Sequence, residues 1–398
     1  MRKLMMLAFS ALFLLSLNAA NPKKHYTVIV SLDGFRWDYP AMYRTPNLDR
    51  MAADGVKAVM LPSYPASTFP NHYTLATGLV PDHHGIINNT FWDAKNKRQY
   101  SMGDFATRNN PEYYLGEPIW ITAQKQGIKT GNMYWVGADI AIKNAHPTYY
   151  RPWNAKPFLS FEQRIDTVLT WLQKPEEERP GLVMLYFEEP DGSGHHNGPR
   201  SLQTGAVVQR MDSLMGVLRK KIEALPFAGD VNLIVTSDHG MTDISAERVV
   251  NINDYLKPEW CEMVDGRTPT SIFSKPEYRD SIYNTLKKAA HINVWKKEEI
   301  PAELHYGSSD RIGDIVVAPE LGWQFTDVAR DTKGAHGYFP QSPDMQVMFR
   351  AIGPDFKTGY TAKGLNESGI YYDRQRHAYN QITACTNLFH ALVPTVPC

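Results

Sequence analysis

This sequence has few cysteines and no net charge. It also has no linker or repeat that would divide it into domains. Three cysteines, Cys261, Cys385 and Cys398, occur among 398 residues, which excludes a disulfide-rich scaffold. A Cys385–Cys398 pair that leaves Cys261 free is one arrangement that remains open. Lysine plus arginine equals aspartate plus glutamate at 42 each, so no overall field attracts polymeric nucleic acid or an anionic membrane. No linker or repeat breaks the chain, which indicates one domain over 21–398.

A long apolar run is also lacking, apart from one short segment at the N-terminus. Arg2 and Lys3 precede an apolar stretch over 4–17, and small residues follow it, which is the pattern of a signal peptide over 1–20. Because a membrane span needs about 20 apolar residues, we expect a periplasmic or secreted protein with no stable membrane anchor after cleavage. An uncleaved anchor is the alternative, since Asn18 is not an ideal residue before a cleavage site.

The rest of the chain alternates apolar runs of strand length with stretches of helical period. This pattern predicts an α/β fold with a central, mostly parallel sheet and helices on both faces. Three runs, 26–32, 182–187 and 231–236, are apolar enough to be central strands buried on both faces. Acidic residues follow each of them. Ligand sites in such sheets lie beyond the carboxyl ends of the strands, so these acidic residues should meet there.

Capping residues and apolar spacing predict two of the helices. Thr45, Pro46 and Gly55 mark the cap, first turn and end of one helix. A second, long helix should pack on the sheet through an apolar stripe made of Leu202, Ala206, Met211, Leu214, Leu218, Ile222 and Leu225.

The weaker pattern over 243–320 is interpreted as surface insertions with an α+β segment that covers one edge of the sheet.

Aspartate and histidine stand beside glycine in four loops, 31–34, 188–196, 236–241 and 333–340. One aspartate after a strand is commonly a helix cap and one histidine is commonly structural, but four such loops at strand ends favour a metal site. Zinc takes oxygen and nitrogen ligands, and a catalytic zinc keeps one position open. Three ligands for each of two Zn²⁺ ions would come from Asp33, Asp191, His195, Asp238, His239 and His336.

The segment that holds Asp191 and His195 is predicted to be a loop that wraps around its ion. Pro190, Gly192 and Gly194 disfavour a regular helix there. The remaining histidines near these motifs lack the same setting and are assigned to the surface or to the layer behind the ligands: His72, His83, His84, His146 and His196.

A threonine stands where a further helix should begin. Thr68 precedes Phe69 in the first turn of a helix that should run to Thr77 and end at Gly78. A helix N-terminus favours a bound phosphate and an alkoxide, and a neighbouring zinc would lower the pKa of the hydroxyl further. Thr68 is therefore predicted to be a nucleophile. Ser67 is the neighbouring rival, and a simple helix cap is the alternative role.

Together these motifs resemble the nucleotide pyrophosphatase/phosphodiesterase family of the alkaline phosphatase superfamily. The likeness rests on SLDGFR, STFPNHYTLATGLVPDHHGIINN, PDGSGHH, SDHGM and GAHGY, which follow the family's order within about 26–392. It implies a bare catalytic domain of the bacterial type with an alkaline-phosphatase-like fold. It also implies a two-zinc hydrolase that cleaves nucleotide phosphodiester and pyrophosphate bonds, releases nucleoside 5′-monophosphates and forms a phosphothreonine ester.

The resemblance implies residue roles as well. It implies two ligand sets, namely Asp191, His195 and His336 for one zinc, and Asp33, Asp238 and His239 for the other, which also contacts Thr68. Asn89 matches the family's asparagine that donates to a non-bridging phosphate oxygen, a kind of contact worth about 3 kcal/mol in the transition state. Phe69 and Tyr150 would stack the nucleobase, with Tyr149 as the alternative to Tyr150.

Trp135 and Asp139 resemble the segment that lines the same pocket in the family. Other activities remain open on this scaffold. A phospholipid or choline-phosphate diesterase is one, and a phosphomonoesterase is another, although no arginine clamp stands near Thr68 in the sequence. A sulfatase would need a C/S-x-P-S-R motif, which STFPNH lacks. Intact Thr68 and six intact ligands argue against a catalytically dead binding protein.

Overall fold

The structure is a computed structural model that describes residues 24–325 and 332–367. The predicted signal peptide lies outside the described residues, and so do Cys385 and Cys398, whose pairing the sequence leaves open. Among the helices within these bounds, none combines the length and the apolar composition that crossing a bilayer requires.

The strands, in chain order, are β1 (Tyr26–Leu32), β2 (Val56–Leu61), β3 (Thr90–Asp93), β4 (Arg98–Ser101), β5 (Thr130–Met133), β6 (Tyr149–Arg151), β7 (Leu182–Phe187), β8 (Val231–Thr236), β9 (Thr242–Asp243), β10 (Val249–Val250), β11 (Cys261–Gly266), β12 (Thr270–Ser274), β13 (Ile292–Lys296), β14 (Ile315–Pro319), β15 (Gln324–Phe325), β16 (Gly334–Ala335), β17 (Val347–Ile352), β18 (Tyr360–Thr361) and β19 (Leu365–Asn366). The α-helices are α1 (Tyr39–Met42), α2 (Pro46–Asp54), α3 (Thr68–Thr77), α4 (Pro81–His84), α5 (Phe105–Arg108), α6 (Ile119–Lys125), α7 (Phe161–Leu172), α8 (Asp191–Asn197), α9 (Leu202–Glu223) and α10 (Arg279–Leu286).

The central sheet has the order β18-β2-β17-β8-β1-β7-β5-β6, and β19 also pairs with β2. Its neighbouring strands are parallel except at β17, which runs antiparallel to both β2 and β8. The mostly parallel sheet is thus confirmed. The three predicted central strands are β1, β7 and β8, with the predicted bounds and with every residue buried. Since β1 pairs in parallel with both others, their carboxyl ends lie side by side.

Helix α2 has the predicted bounds, but Gly55 has a reason that the sequence does not show. Its backbone is extended rather than left-handed, and an added Cβ would lie 2.1 Å from the carbonyl oxygen of Ala351. The glycine therefore permits a close approach to β17.

Helix α9 has the predicted length, yet the start of its predicted apolar stripe is wrong. Leu202 is 87% exposed and Ala206 is also exposed, whereas the stripe is buried from Met211 onward. The first turns instead bury Thr204 and Val208. The helix is thus predicted correctly at its start, but the side that faces the protein is not. The first turns face the protein with Thr204 and Val208 instead of Leu202 and Ala206.

The region after β8 contains the predicted α+β segment, whose main contact is with β3 and not with β6 or β18 at the edges of the central sheet. Strands β11, β12, β14 and β13 make a four-stranded antiparallel sheet, and α10 covers it with Ile282 and Leu286 in a small apolar core of its own. The segment packs against the hairpin β3–β4, where the carboxylate of Asp265 accepts the backbone N–H of Trp92 (2.6 Å). The turn between β11 and β12 approaches the segment that carries His336, since a Cβ added at Gly337 would lie 2.6 Å from the carbonyl oxygen of Thr268.

Candidate active site

The acidic residues that follow the central strands meet at one edge of the sheet. Asp33 follows β1, Asp191 begins α8 soon after β7, and Asp238 and His239 follow β8. Asp33, Asp238 and His239 are all at most 2% exposed. The parallel pairing of the three strands brings these side chains together, as their positions at strand ends predict.

The segment that carries Asp191 and His195 is a helix, so the prediction of a wrapping loop is wrong. Pro190 lies at the N-cap of α8, where no intrahelical N–H is required of it. Just before it, Glu189 accepts the backbone N–H of Ser193 through Oε2 (3.1 Å) and so satisfies one of the free donors of the first turn. One helical turn then places Asp191 and His195 on the same face.

Packing explains one of the two glycines inside α8, Gly194. Glycine in a helix costs about 1 kcal/mol relative to alanine. At Gly194 an added Cβ would lie 3.1 Å from Cε of Met241, and Gly334 approaches so closely that its own Cβ would lie 2.3 Å from the Gly194 carbonyl oxygen. Gly194 and Gly334 therefore let the loops that carry Met241 and His336 pack directly on this helix.

The first group of close ligand atoms comprises Asp33, Asp238 and His239, all within 4.8 Å of one another. Nε2 of His239 lies 3.3 Å from Oδ1 of Asp33 and 3.3 Å from Oδ2 of Asp238. Oγ1 of Thr68 lies 3.1 Å from the same Nε2. The predicted nucleophile therefore stands beside this group.

The second group of close ligand atoms joins Asp191, His239 and His336. Oδ1 of Asp191 lies 3.7 Å from Nε2 of His336 and 3.4 Å from Nε2 of His195. His239 thus belongs to both groups, and its ring stacks on that of His336 with centroids 3.6 Å apart. All six residues predicted as ligands lie in one continuous cluster.

Backbone carbonyls orient the three imidazoles. Nδ1 of His195 lies 2.8 Å from the carbonyl oxygen of Gly334, and Nδ1 of His239 lies 2.8 Å from that of Gly240. Nδ1 of His336 lies 2.9 Å from the carbonyl oxygen of Ala66. Because a carbonyl oxygen only accepts, each Nδ1 carries the proton and each Nε2 keeps its lone pair for the cluster.

Three carboxylate oxygens in the cluster are buried without a hydrogen-bond partner: Oδ1 of Asp33, Oδ1 of Asp191 and Oδ2 of Asp238. Burial, reinforced by the charges of Asp238 and Asp191, raises the pKa of Asp33 well above its ordinary value. Burial also lowers the pKa of His336 to about 3, assisted by His239. Unpaired carboxylate oxygens beside neutral imidazoles are the donor set that a divalent cation satisfies, and mixed oxygen and nitrogen ligation suits zinc.

Helix α3 has the predicted start and end, and Gly78 ends it in a left-handed conformation (φ 69°). Ser67 is the N-cap residue, but its side chain makes no capping hydrogen bond. Phe69 donates its backbone N–H to Oδ1 of Asn89 (2.8 Å), which holds Asn89 next to the first turn of α3 and leaves its amide Nδ2 as the donor. The helix N-terminus and this amide can together receive an anionic oxygen.

A cavity of about 310 Å³ opens from Asp33 and Thr68. It includes the predicted Trp135 and Asp139. Its polar walls carry Asp139, Glu188, Glu189 and Arg108. Its aromatic walls are formed by Phe69, Tyr114, Tyr134, Trp135, Trp153 and Tyr186.

Tyr150, the predicted partner of Phe69, does not line this cavity. It lies in the edge strand β6, where its ring stacks on His146 with centroids 4.9 Å apart. The alternative, Tyr149, donates its hydroxyl to the carbonyl of Glu178 (2.9 Å). The cavity wall instead contains Trp153, whose backbone N–H donates to Asp139 (3.2 Å). In the segment HPTYYRPWN the tryptophan, rather than either tyrosine, is therefore the residue that sequence reasoning missed.

Comparison with known proteins gives a consistent set of relatives. The model of the type I phosphodiesterase / nucleotide pyrophosphatase family matches residues 27–339. Human ectonucleotide pyrophosphatase/phosphodiesterase family member 5 is 33% identical, over 91% of this chain and 76% of that protein. The bovine bis(5′-adenosyl)-triphosphatase is 35% identical, over 93% of this chain and 82% of its own length. Human family member 1 is 35% identical, but the chain spans 39% of its length.

A solved structure is similar across nearly the whole chain. Murine ectonucleotide pyrophosphatase/phosphodiesterase 5, in an inactive threonine-to-alanine variant in complex with AMP, matches with a TM-score of 0.84 and 33% identity. The match covers 94% of this chain and 96% of the murine chain.

Proposed function

Because the chain belongs to the type I phosphodiesterase / nucleotide pyrophosphatase family, we propose that this hydrolase releases nucleoside 5′-monophosphates through Thr68 with the help of two zinc ions. The nucleotide phosphodiesterase and pyrophosphatase activity is that of the family. The observation that carries the specific proposal is the position of Thr68, whose Oγ1 lies 3.1 Å from His239 of the ligand cluster and lines the aromatic cavity.

The unpaired oxygens and oriented imidazoles of the cluster fit Zn²⁺. One set would be Asp33, Asp238 and His239, and the other Asp191, His195 and His336. Two bound zinc ions would stabilise the attacking and leaving oxygens and lower the pKa of the Thr68 hydroxyl.

The residues of the chain then supply the nucleophile and its geometry. As the Thr68 hydroxyl releases its proton to solvent and Oγ1 forms a bond to phosphorus, the bond from phosphorus to the leaving-group oxygen breaks. The leaving group departs with that electron pair, and the nucleotidyl group is held as a phosphothreonine ester. Nδ2 of Asn89 donates to a non-bridging oxygen, since its Oδ1 is already held by the N–H of Phe69. Water cleaves the ester in the second step, restores the Thr68 hydroxyl and releases the nucleoside monophosphate.

Aromatic walls would bind the base. Phe69 and Trp153 both line the cavity that begins at Thr68, and stacking on aromatic faces accepts any base. Asp139, fixed by the N–H of Trp153, adds an acceptor at the wall. The bound AMP of the murine relative supports a nucleotide as the occupant.

The expected location is outside the cytoplasm, in the periplasm or the medium. The pattern over 1–20 supports this, as does the membership of a family whose similar proteins are named ectonucleotide enzymes. The partner is a small nucleotide or phosphodiester rather than a polymeric nucleic acid.

A phosphocholine ester is the second candidate substrate. Aromatic rings with nearby carboxylates also bind a quaternary ammonium group, and the cavity has Asp139 and Glu189 beside its rings. The charge of Glu188 is less available, because Arg164 holds it with two hydrogen bonds (2.5 and 2.9 Å).

One comparison of substrates tests the proposed function. The value of kcat/KM is measured for a nucleotide diester, a nucleotide pyrophosphate, a phosphocholine ester and a phosphate monoester, with metal analysis of the same sample. We expect the two nucleotide substrates to exceed the other two by at least about 100-fold, the scale of a well-fitted base pocket. A faster phosphocholine ester would replace the proposal by the second candidate.

Replacement of Phe69 by alanine tests the base pocket. Because one stacked base contributes about 1–3 kcal/mol, Phe69→Ala should lower kcat/KM for nucleotide diesters about 5- to 150-fold. The loss should be far smaller for a simple aryl phosphodiester. Trp153→Ala should behave like Phe69→Ala. Tyr150→Ala is the matched control, and it should leave kcat/KM unchanged for both substrates. Equal losses on both substrates in Phe69→Ala would contradict stacking. A large nucleotide-specific loss in Tyr150→Ala would identify Tyr150 as the stacking partner of Phe69.

A further inference from the structure

The layer behind the ligands contains one histidine that touches both the nucleophile and a ligand. His72 lies on α3, one helical turn after Thr68, and is 0% exposed. Its Nδ1 lies 2.9 Å from the carbonyl oxygen of Thr68 and 3.2 Å from Oδ2 of Asp238. Its Nε2 lies 2.9 Å from Oγ of Ser31, near the end of β1. The ring thus connects three elements of the site.

The hydrogen-bond partners fix the tautomer of His72. Because the Thr68 carbonyl only accepts, Nδ1 carries the proton, and Nε2 then accepts the hydroxyl of Ser31. Oδ2 of Asp238, which accepts no aligned hydrogen bond within the described residues, lies 3.2 Å from the same protonated Nδ1. The other oxygen of that carboxylate accepts the backbone N–H of Gly34 (3.1 Å). His72 therefore places a protonated nitrogen beside the ligand oxygen of Asp238.

Packing holds the imidazole in one orientation. Trp135 and Tyr186 meet its ring at nearly right angles, with centroids 5.2 and 4.9 Å away. The indole N–H of Trp135 donates to the His72 carbonyl (3.1 Å), and the hydroxyl of Tyr186 donates to Asp33 (2.6 Å). The ring has no freedom to leave Thr68 and Asp238.

We propose that His72 is a positioning residue that links the nucleophile helix to the Asp238 ligand and so keeps Oγ1 of Thr68 beside the metal. The inference rests on the proposed function, because it assumes that Asp238 binds zinc and that Thr68 attacks. Partners behind metal ligands typically contribute about 10- to 100-fold to metal affinity or activity. A histidine that merely fills the core would contribute to folding alone.

Two substitutions at His72 separate these roles. The amide of asparagine reaches the place of Nδ1 and keeps the donor to Thr68 and Asp238, whereas that of glutamine reaches the place of Nε2 and loses it. We expect His72→Gln to lower both kcat and zinc affinity about 10- to 100-fold with little change in KM. His72→Asn should restore most of both. Zinc affinity is measured by competition with a chromophoric chelator, and the melting temperature is measured with and without zinc.

His84 offers a matched control on the neighbouring helix α4. It is also 0% exposed, and its Nε2 lies 3.1 Å from both Oγ1 of Thr74 and the carbonyl oxygen of Pro70, away from the ligands. His84→Gln should lower the melting temperature but leave zinc affinity and kcat unchanged. If folded His72→Gln behaves in the same way as His84→Gln, the proposal is overturned.

Ser31→Ala decides the question if His72→Gln does not fold. It keeps the ring and its Nδ1 donor but removes the hydroxyl that Nε2 accepts and that holds the far side of the ring, so zinc affinity should fall measurably. Wild-type zinc affinity in this variant would overturn the proposal. Since zinc affinity is measured without substrate, a protein that loses zinc in these variants but cleaves no nucleotide would contradict the proposed function alone.

Discussion

Thr68→Ala is expected to lose at least about 10⁴-fold in kcat, as expected for removal of a covalent nucleophile. The substitution removes Oγ1, which lies 3.1 Å from Nε2 of His239 in the ligand cluster. Folding should be almost unaffected, because alanine is a good helix former at the start of α3. Zinc content should also persist, since the six proposed ligands remain. Turnover of a nucleotide diester, the melting temperature and metal analysis measure the three quantities.

A covalent adduct gives a direct readout of the same step. Acid quenching of the wild-type protein during turnover should trap a nucleotidyl group on the peptide that contains Thr68, and mass spectrometry should find none in Thr68→Ala. Ser67→Ala is the control, because the Ser67 side chain makes no capping hydrogen bond and should be dispensable for turnover. Activity that survives in Thr68→Ala and disappears in Ser67→Ala would move the nucleophile to Ser67. Survival in both would indicate attack by water.

The central strands and the cluster could be predicted from the sequence because their signals are local. Apolar runs such as Leu182–Phe187 identify strands buried on both faces, and acidic residues at the ends of parallel strands converge by topology. The order of the strands and the antiparallel β17 could not be predicted, since pairing depends on contacts between distant segments. Helix α8 escaped prediction for a related reason. Gly194 inside it is explained by Met241 and Gly334, which come from distant parts of the chain and pack against it.

The sequence does not show which aromatic residue after β5 lines the cavity. Tyr150 and Trp153 stand close together in the sequence, and both are aromatic, so either could have faced the base. Tyr150 lies in the edge strand β6 and stacks on His146. Trp153 follows the end of that strand and packs on Tyr134, with ring centroids 5.4 Å apart. Which ring lines the cavity is therefore decided by where β6 ends, a bound that no residue pattern marks.

The second large effect is expected from Asp33→Asn, which removes one carboxylate charge from the ligand cluster at nearly constant shape. We expect it to bind one zinc equivalent fewer and to lose at least about 10³-fold in kcat, since a neutral amide is a poor zinc ligand and the ion stabilises the reacting oxygens. The hydroxyl of Tyr186 can still donate to the amide oxygen, as it now donates to Oδ2 (2.6 Å).

Stability should change in opposite directions with and without the metal. Without zinc, the wild-type cluster holds crowded carboxylates, and burial with the charges of Asp238 and Asp191 raises the pKa of Asp33. Asparagine relieves this repulsion, so the metal-free variant should melt at a higher temperature than the metal-free wild type. With zinc in 1,000-fold excess over Kd, a bound ion adds about 4 kcal/mol per site, so the variant should melt at a lower temperature than the zinc-bound wild type.

Asp139→Asn provides the matched control, because this carboxylate lies on the cavity wall outside both ligand groups. It should keep the zinc content of the wild type and show the same rise in melting temperature on adding zinc. Full activity and undiminished zinc content in Asp33→Asn would contradict a metal site built on Asp33. A melting temperature that falls in the metal-free variant would show that the buried carboxylates do not repel one another, and the need for a cation at this cluster would lose its physical basis.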